Sequence, residues 1–183
     1  KYDLAYTATR KYYDLEISGP GSGRANQEYI QSVLTKQIKK KLEALSELET
    51  QFVEVAQVAA GKYTLAAIVE IGHAYDNYAE TITNSYNIFA DENREFYDEG
   101  MAEIYQMQLE DQAYAYQEKA TAAYMQALDF AFKYNVYTEA TAEATRRLGE
   151  LRPDEFPELT ESILSPEFLT SKEETRTFLK DAK

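Results

Sequence analysis

Apolar residues recur at spacings of three and four along most of this chain, the period of an α-helix with one buried face. Leu4, Ala8, Tyr12 and Leu15 place a first helix over 2–17. SGPGSG at 18–23 ends it, since Gly–Pro and Gly–Ser steps cannot continue a helix, and 18–25 reads as a flexible loop or linker. Asn26 then caps a long helix over 27–59, with Ile38, Leu42, Leu45, Phe52, Ala56 and Ala59 along its seam. Leu48 and Val55 broaden that seam, which favours packing inside a helical domain over a free coiled coil. Gly61 suits the residue just past a helix end, and Thr64 suits the cap of the next helix, 65–89. Ile68, Ile71, Gly72 and Tyr75 share a face there, and a mid-helix glycine costs about 1 kcal/mol against alanine, so Gly72 is expected to admit a close neighbour.

A third long helix is expected over 101–135, with Ala120, Tyr124 and Ala127 on one face beside Leu128 and Ala131. Small residues on both sides of one ring suit the close approach of another helix, so Tyr124 is expected in the core and Tyr116 nearer the surface. After a polar break at 133–138, Ala140, Ala144, Leu148 and Leu151 mark a helix over 139–151, which Pro153 stops. Pro153 and Pro157 then impose a turn, and Ser165-Pro166-Glu167 starts a last helix over 167–181. Residues 154–183 are therefore a C-terminal turn and capping helix. No stretch alternates as a strand does, so the class is all-α, in a single domain over 1–183.

Two short-linked helices form an αα-hairpin, and here the residues carry a resemblance. The small–aromatic–small pattern of 120–127, the four-residue spacing of 140–151 and the closing Pro153 resemble a tetratricopeptide repeat read from its second helix onward. Ile68, Ile71, Gly72 and Tyr75 are similar to the first helix of such a repeat, and Leu48, Phe52 and Val55 to the second helix of a preceding one. Partial repeats thus span 42–75 and 116–153, separated by more than a plain repeat of about 34 residues allows, which implies lengthened helices. The whole resembles tetratricopeptide-like proteins of delta-proteobacteria. The resemblance implies stacked αα-hairpins in an α-solenoid, and a periplasmic scaffold of a Gram-negative envelope, with the cytoplasm as the alternative. It also implies a concave face that binds a protein or peptide partner through Val69, His73, Asp76, Asn77, Thr141 and Thr145.

Composition narrows the function. The chain has 183 residues, 44% of them hydrophobic, enough for a sizeable core despite a net charge of −13. That charge opposes nucleic-acid phosphates, so no nucleic-acid partner is expected. Lys36, Lys39, Lys40 and Lys41 are expected on a solvated helix face. No window has the apolar length of a membrane span, so no membrane insertion is expected. With no cysteine and one histidine, His73, neither a Cys–His pair nor a two-His metal helix is available. Asp91, Asn93 and Glu95 alternate as in a calcium loop, but Phe96 and Ala102 stand where that loop needs Gly and a bidentate Glu. The expectation is a non-enzymatic scaffold with no cofactor and no metal. The alternative is an all-α envelope protein that binds or cleaves glycan or peptidoglycan, where Glu161-Ser162 is similar to the catalytic pair of lytic transglycosylases. Self-association through exposed repeat edges is a third possibility.

Overall fold

The computed structural model describes residues 2–17, 30–58, 61–90 and 99–157. The 18–25 linker, the Asn26 cap, most of the acidic 91–100 connection and the 167–181 helix lie outside them. The described residues form five α-helices and no strand: α1 (Tyr2–Tyr13), α2 (Thr35–Val58), α3 (Lys62–Ala90), α4 (Glu99–Tyr134) and α5 (Glu139–Leu151). A single π-helical turn, Ile30–Leu34, leads into α2.

Helices consecutive in the chain pack against each other, α1 with α2, α2 with α3, α3 with α4 and α4 with α5, and α5 also touches α3. α3 lies at the centre, and its sequence shows why. Leu65, Ala67, Ile68, Val69, Ala74 and Tyr78 are all buried, so apolar residues occupy most of its circumference and only a central position satisfies them. α3 and α4 run antiparallel, because Gly61 lies near Val136, Gly72 near Tyr124 and Tyr75 near Tyr116. Along α4 the buried face is Leu109, Ala113, Ala120, Tyr124, Ala127 and Ala131. Four alanines on that face let the α3 backbone come close, and Tyr124 fills the remaining space opposite Gly72.

Turn chemistry sets the helix ends. Gly61 has φ +51° and accepts the Leu65 N–H at 3.1 Å. α3 begins at Lys62, so Thr64 sits in its first turn rather than capping it, with its hydroxyl 3.2 Å from the Ala56 carbonyl. Asn135 closes α4 at φ 55°, and the Val136 N–H returns to the Ala131 carbonyl at 3.0 Å, the helix-closing bond of a left-handed C-terminal residue. α5 opens where the Thr138 N–H donates to the Thr141 hydroxyl at 3.2 Å. It ends at Leu151, two residues before Pro153.

α1 ends at Tyr13, earlier than the expected 17. Ala5, Ala8 and Tyr12 are its buried seam, and the Tyr12 hydroxyl donates to the Ala74 carbonyl at 2.8 Å, tying α1 to the middle of α3. The lysine cluster divides. Lys36, Lys39 and Lys40 are exposed, but Lys41 is buried. Its ammonium donates to the Leu15 carbonyl at 2.9 Å and stands 4.8 Å from the centre of the Tyr12 ring. The expectation of four solvated lysines fails at that position because Lys41 falls on the Ala44–Leu48 side of α2, where its stem packs and its head finds a carbonyl where α1 ends. Burial lowers its pKa, and Glu16 partly offsets this.

Candidate functional site

The residues expected to face a partner are gathered where α3, α4 and α5 meet. Val69 is buried at 3% exposure, in the floor of this junction. One turn on, the His73 Nε2 stands 3.1 Å from Glu143 Oε1 of α5, and its Nδ1 lies 3.9 Å from Glu70. The imidazole meets the Tyr124 ring edge-on, with centroids 5.8 Å apart. Asp76 is 8% exposed, and a single oxygen, Oδ2, serves three donors. The Tyr124 hydroxyl donates at 3.1 Å, Arg147 Nε at 3.0 Å, and Arg147 Nη2 completes the set. α5 runs parallel to α3 here, since Glu143 meets His73 and Arg147 meets Asp76, each four residues after the last or close to it.

The remaining expected residues support the junction or edge it. Asn77 is half-buried, and its Oδ1 has no hydrogen-bond partner among the described residues. Thr141 opens α5 through the bond to Thr138, so its hydroxyl acts within its own chain. Thr145 is exposed, with its hydroxyl turned back to the Thr141 carbonyl at 3.0 Å. Leu148 is fully buried, and a Cβ on Gly149 would lie 3.2 Å from the Phe156 carbonyl oxygen, so both pack within the protein.

The outer side of α5 extends the network. Arg146 binds Glu143 at 2.6 Å and also reaches Glu150, while Arg147 binds Glu150 at 2.6 Å. Spacing of three and four along one helix makes these pairs legible in EATRRLGE at 143–150, where Glu143, Arg146, Arg147 and Glu150 carry it. What no spacing along α5 indicates is that Glu143 and Arg147 also reach across to α3.

Electrostatics follow from this geometry. Burial raises the Tyr124 pKa first and Asp76 raises it further, while Arg147 opposes them, so the hydroxyl stays a donor. Burial works against the Arg147 charge, but its bonds to Asp76 outweigh that and hold its pKa above the usual value. The Arg146 hydrogen bond holds Glu143 down to about 2, against an opposing push from burial and with a smaller contribution from His73. A carboxylate depressed in the folded state adds stability that is complete above its ordinary value of about 4.5 and is lost as pH falls toward about 2. Melting temperature is therefore expected to decline less steeply over that window in Glu143→Gln than in the parent. Equal slopes between pH 6 and 2 would refute the assignment.

Asp76 is saturated with internal donors, so its carboxylate acts as a clamp between helices. Asp76→Ala leaves Arg147 and the Tyr124 hydroxyl facing a hole. Removing one member of a buried pair costs about 3–5 kcal/mol, and the partial exposure of Arg147 reduces this to about 2 kcal/mol here. The expected result is a melting temperature roughly 4–8 °C lower. Asp76→Ala/Arg147→Met, which removes both charges, is expected to recover part of the loss. A parent-like melting temperature for Asp76→Ala would show that the clamp carries no stability.

No group of three or more metal-ligating side chains is gathered among the described residues. No helix among them is long and apolar enough to cross a membrane. No protein-family model, curated protein or solved structure matches the chain.

Proposed function

We propose that this chain is a non-enzymatic interaction scaffold, a tetratricopeptide-like stack of αα-hairpins that binds a protein or peptide partner on the face shared by α1, α3 and α5. One observation carries the reading. α3 touches α5 as well as its sequence neighbours, and the Tyr12 side chain of α1 reaches past α2 to the Ala74 carbonyl of α3, which supports a reading with the odd-numbered helices toward one side. In stacked hairpins the first helices of successive pairs line one surface, and that surface is available for binding.

The internal clamp redistributes the roles of the expected residues. Val69, Asp76 and Thr141 hold the surface from beneath. His73, Asn77 and Thr145 form its accessible part, together with Glu70 and Arg146. Tyr13, 38% exposed at the end of α1, adds an aromatic ring at the edge, and Glu70 and Asp76 are near enough to raise its pKa, after burial, to about 12. Donors, acceptors and a rigid ring in one strip suit an extended peptide backbone. By the resemblance, the compartment is the Gram-negative envelope.

A photo-cross-linking residue placed at Thr145, at Tyr13 or at exposed Gln57 on α2 tests this in the native cell. The expected result is one cross-linked species shared by 145 and 13, absent at 57, and weakened by His73→Ala at unchanged helix content. Equal capture at 57, or insensitivity to His73→Ala, would reject the face.

A further inference from the structure

A Cβ built on Gly61 would lie 3.7 Å from the Val136 side chain, so the turn before α3 and the turn after α4 meet at one end of the protein. Val58, Tyr63, Phe132, Tyr134 and Tyr137 flank that meeting point in sequence, and all are 48–65% exposed. Phe132 meets Tyr137 with ring centroids 6.0 Å apart, and Tyr134 rests on half-buried Phe130 at 4.6 Å. Exposed apolar residues are ordinary when scattered singly; gathered at one end they mark a contact surface.

Charge separates this end from the rest of the chain. There are 32 acids against 19 basic residues, yet no acid falls between Glu54 and Glu70 or between Asp129 and Glu139. Those two intervals hold every exposed apolar residue just named, together with exposed Lys62 and Lys133. The Lys62 ammonium stands 5.1 Å from the centre of the Tyr63 ring, and the Lys133 ammonium 5.3 Å from that of Tyr134. Each lysine stem thus lies along a ring while its charge stays in water. Glu139, the acid nearest to Tyr137 in sequence, occupies the first turn of α5, where the helix dipole offsets its charge.

We propose that this end seats on the surface of an anionic phospholipid bilayer, at the depth of the headgroups and without a spanning helix. The proposal is independent of the partner-binding face and would survive its failure. Tyr63, Tyr134 and Tyr137 suit that depth, because each has an apolar ring and a polar tip for a zone that is dry on one side and wet on the other. Phe132 and Val58 supply apolar area with no polar atom to desolvate. Lipid phosphates complement Lys62 and Lys133. A net charge of −13 makes the molecule as a whole repel such a surface, so approach is confined to a side where lysines stand without acids. The exposed lysines of α2, Lys36, Lys39 and Lys40, offer charge but no exposed ring beside them. A second copy docked end to end would set Lys62 and Lys133 of each molecule against the same residues of the other, and like charges brought together oppose that contact.

Co-sedimentation of the full chain with phosphatidylcholine vesicles containing about 25% phosphatidylglycerol, at about 0.1 M salt, tests this. The parent is expected to bind. Y63S/F132S/Y137S, which removes the rings, is expected to bind roughly tenfold more weakly at unchanged helix content. K62E/K133E is expected to lose a similar factor, roughly tenfold. K39E/K40E changes the net charge by the same amount at the other end of α2 and is expected to stay within about twofold of the parent. A parent that stays in the supernatant would overturn the proposal, as would parent-like binding by the ring variant. Equal loss in K39E/K40E would reduce the effect to net charge and overturn it too. Association without vesicles that the ring variant abolishes would assign this end to a second copy instead.

Discussion

Gly72→Leu is expected to lower the stability of this protein by about 3 kcal/mol, although it replaces a poor helix former with a good one. Helix propensity alone favours the substitution by about 1 kcal/mol. Packing overrides that gain. A Cβ at position 72 would stand 2.6 Å from Cε1 of Tyr124 and 2.9 Å from two further ring atoms, where carbon contacts normally settle at about 3.5–4.0 Å. The ring has nowhere to go. It is fully buried, its hydroxyl is bound to Asp76, and its edge faces His73. α3 and α4 must therefore separate along their most intimate contact, and overpacking of this kind costs about 1–3 kcal/mol, rising with each further carbon. Denaturant unfolding is expected to show a lower midpoint at an unchanged slope. Shrinking the ring tests the cause: Gly72→Ala and Tyr124→Leu are each expected to destabilise, and the double variant to lose less than the sum. Additive losses, or a Gly72→Leu variant as stable as the parent, would place Gly72 away from the helix contact.

The pair Gly72–Tyr124 also shows what a sequence discloses. Each residue was conspicuous on its own helix, one as a glycine among apolar neighbours and the other as a ring between alanines. Periodicity within a helix therefore read off both buried faces, and the bounds of α5, where Thr138 and Pro153 punctuate a short regular pattern, are reproduced to the residue. Periodicity carries no information about partners on other helices. The sequence marks His73 and Asp76 as polar groups expected to face a partner, and within the protein both bond to α5. Their partners Glu143 and Arg147 are about 70 positions away, and no local rule couples them. Lys41 illustrates the same limit. Its charge and its neighbours Lys39 and Lys40 advertise solvent, while the carbonyl of Leu15 and the ring of Tyr12 that receive it belong to another helix. Among the described residues, five α-helices pack against one another; the regular stacking of hairpins belongs to the proposed reading.

Tyr124→Ala is expected to have the largest effect of any single truncation here, about 3–5 kcal/mol. The magnitude follows from what surrounds the ring. Cavity cost depends on how far the neighbours can collapse, and those beside Tyr124 are Gly72 on α3 and Ala120 and Ala127 on α4, none of which has a side chain long enough to move in. The hydroxyl adds a smaller share. Tyr124→Phe removes only the bond to Asp76, whose oxygen keeps Arg147, so its expected cost is about 1 kcal/mol. Tyr116 supplies the comparison within the same helix. It is half-buried, edge-on to Tyr78 at 4.5 Å and covered by the Lys119 ammonium at 4.7 Å. Tyr116→Ala can be partly filled by that lysine stem and by water, and about 1–2 kcal/mol is expected. Thermal or denaturant unfolding of the three variants should rank Tyr124→Ala well below Tyr116→Ala, with Tyr124→Phe closest to the parent. Equal, small losses at 124 and 116 would mean that α4 is rotated from the face described, and the contact between Gly72 and Tyr124 would fall with it.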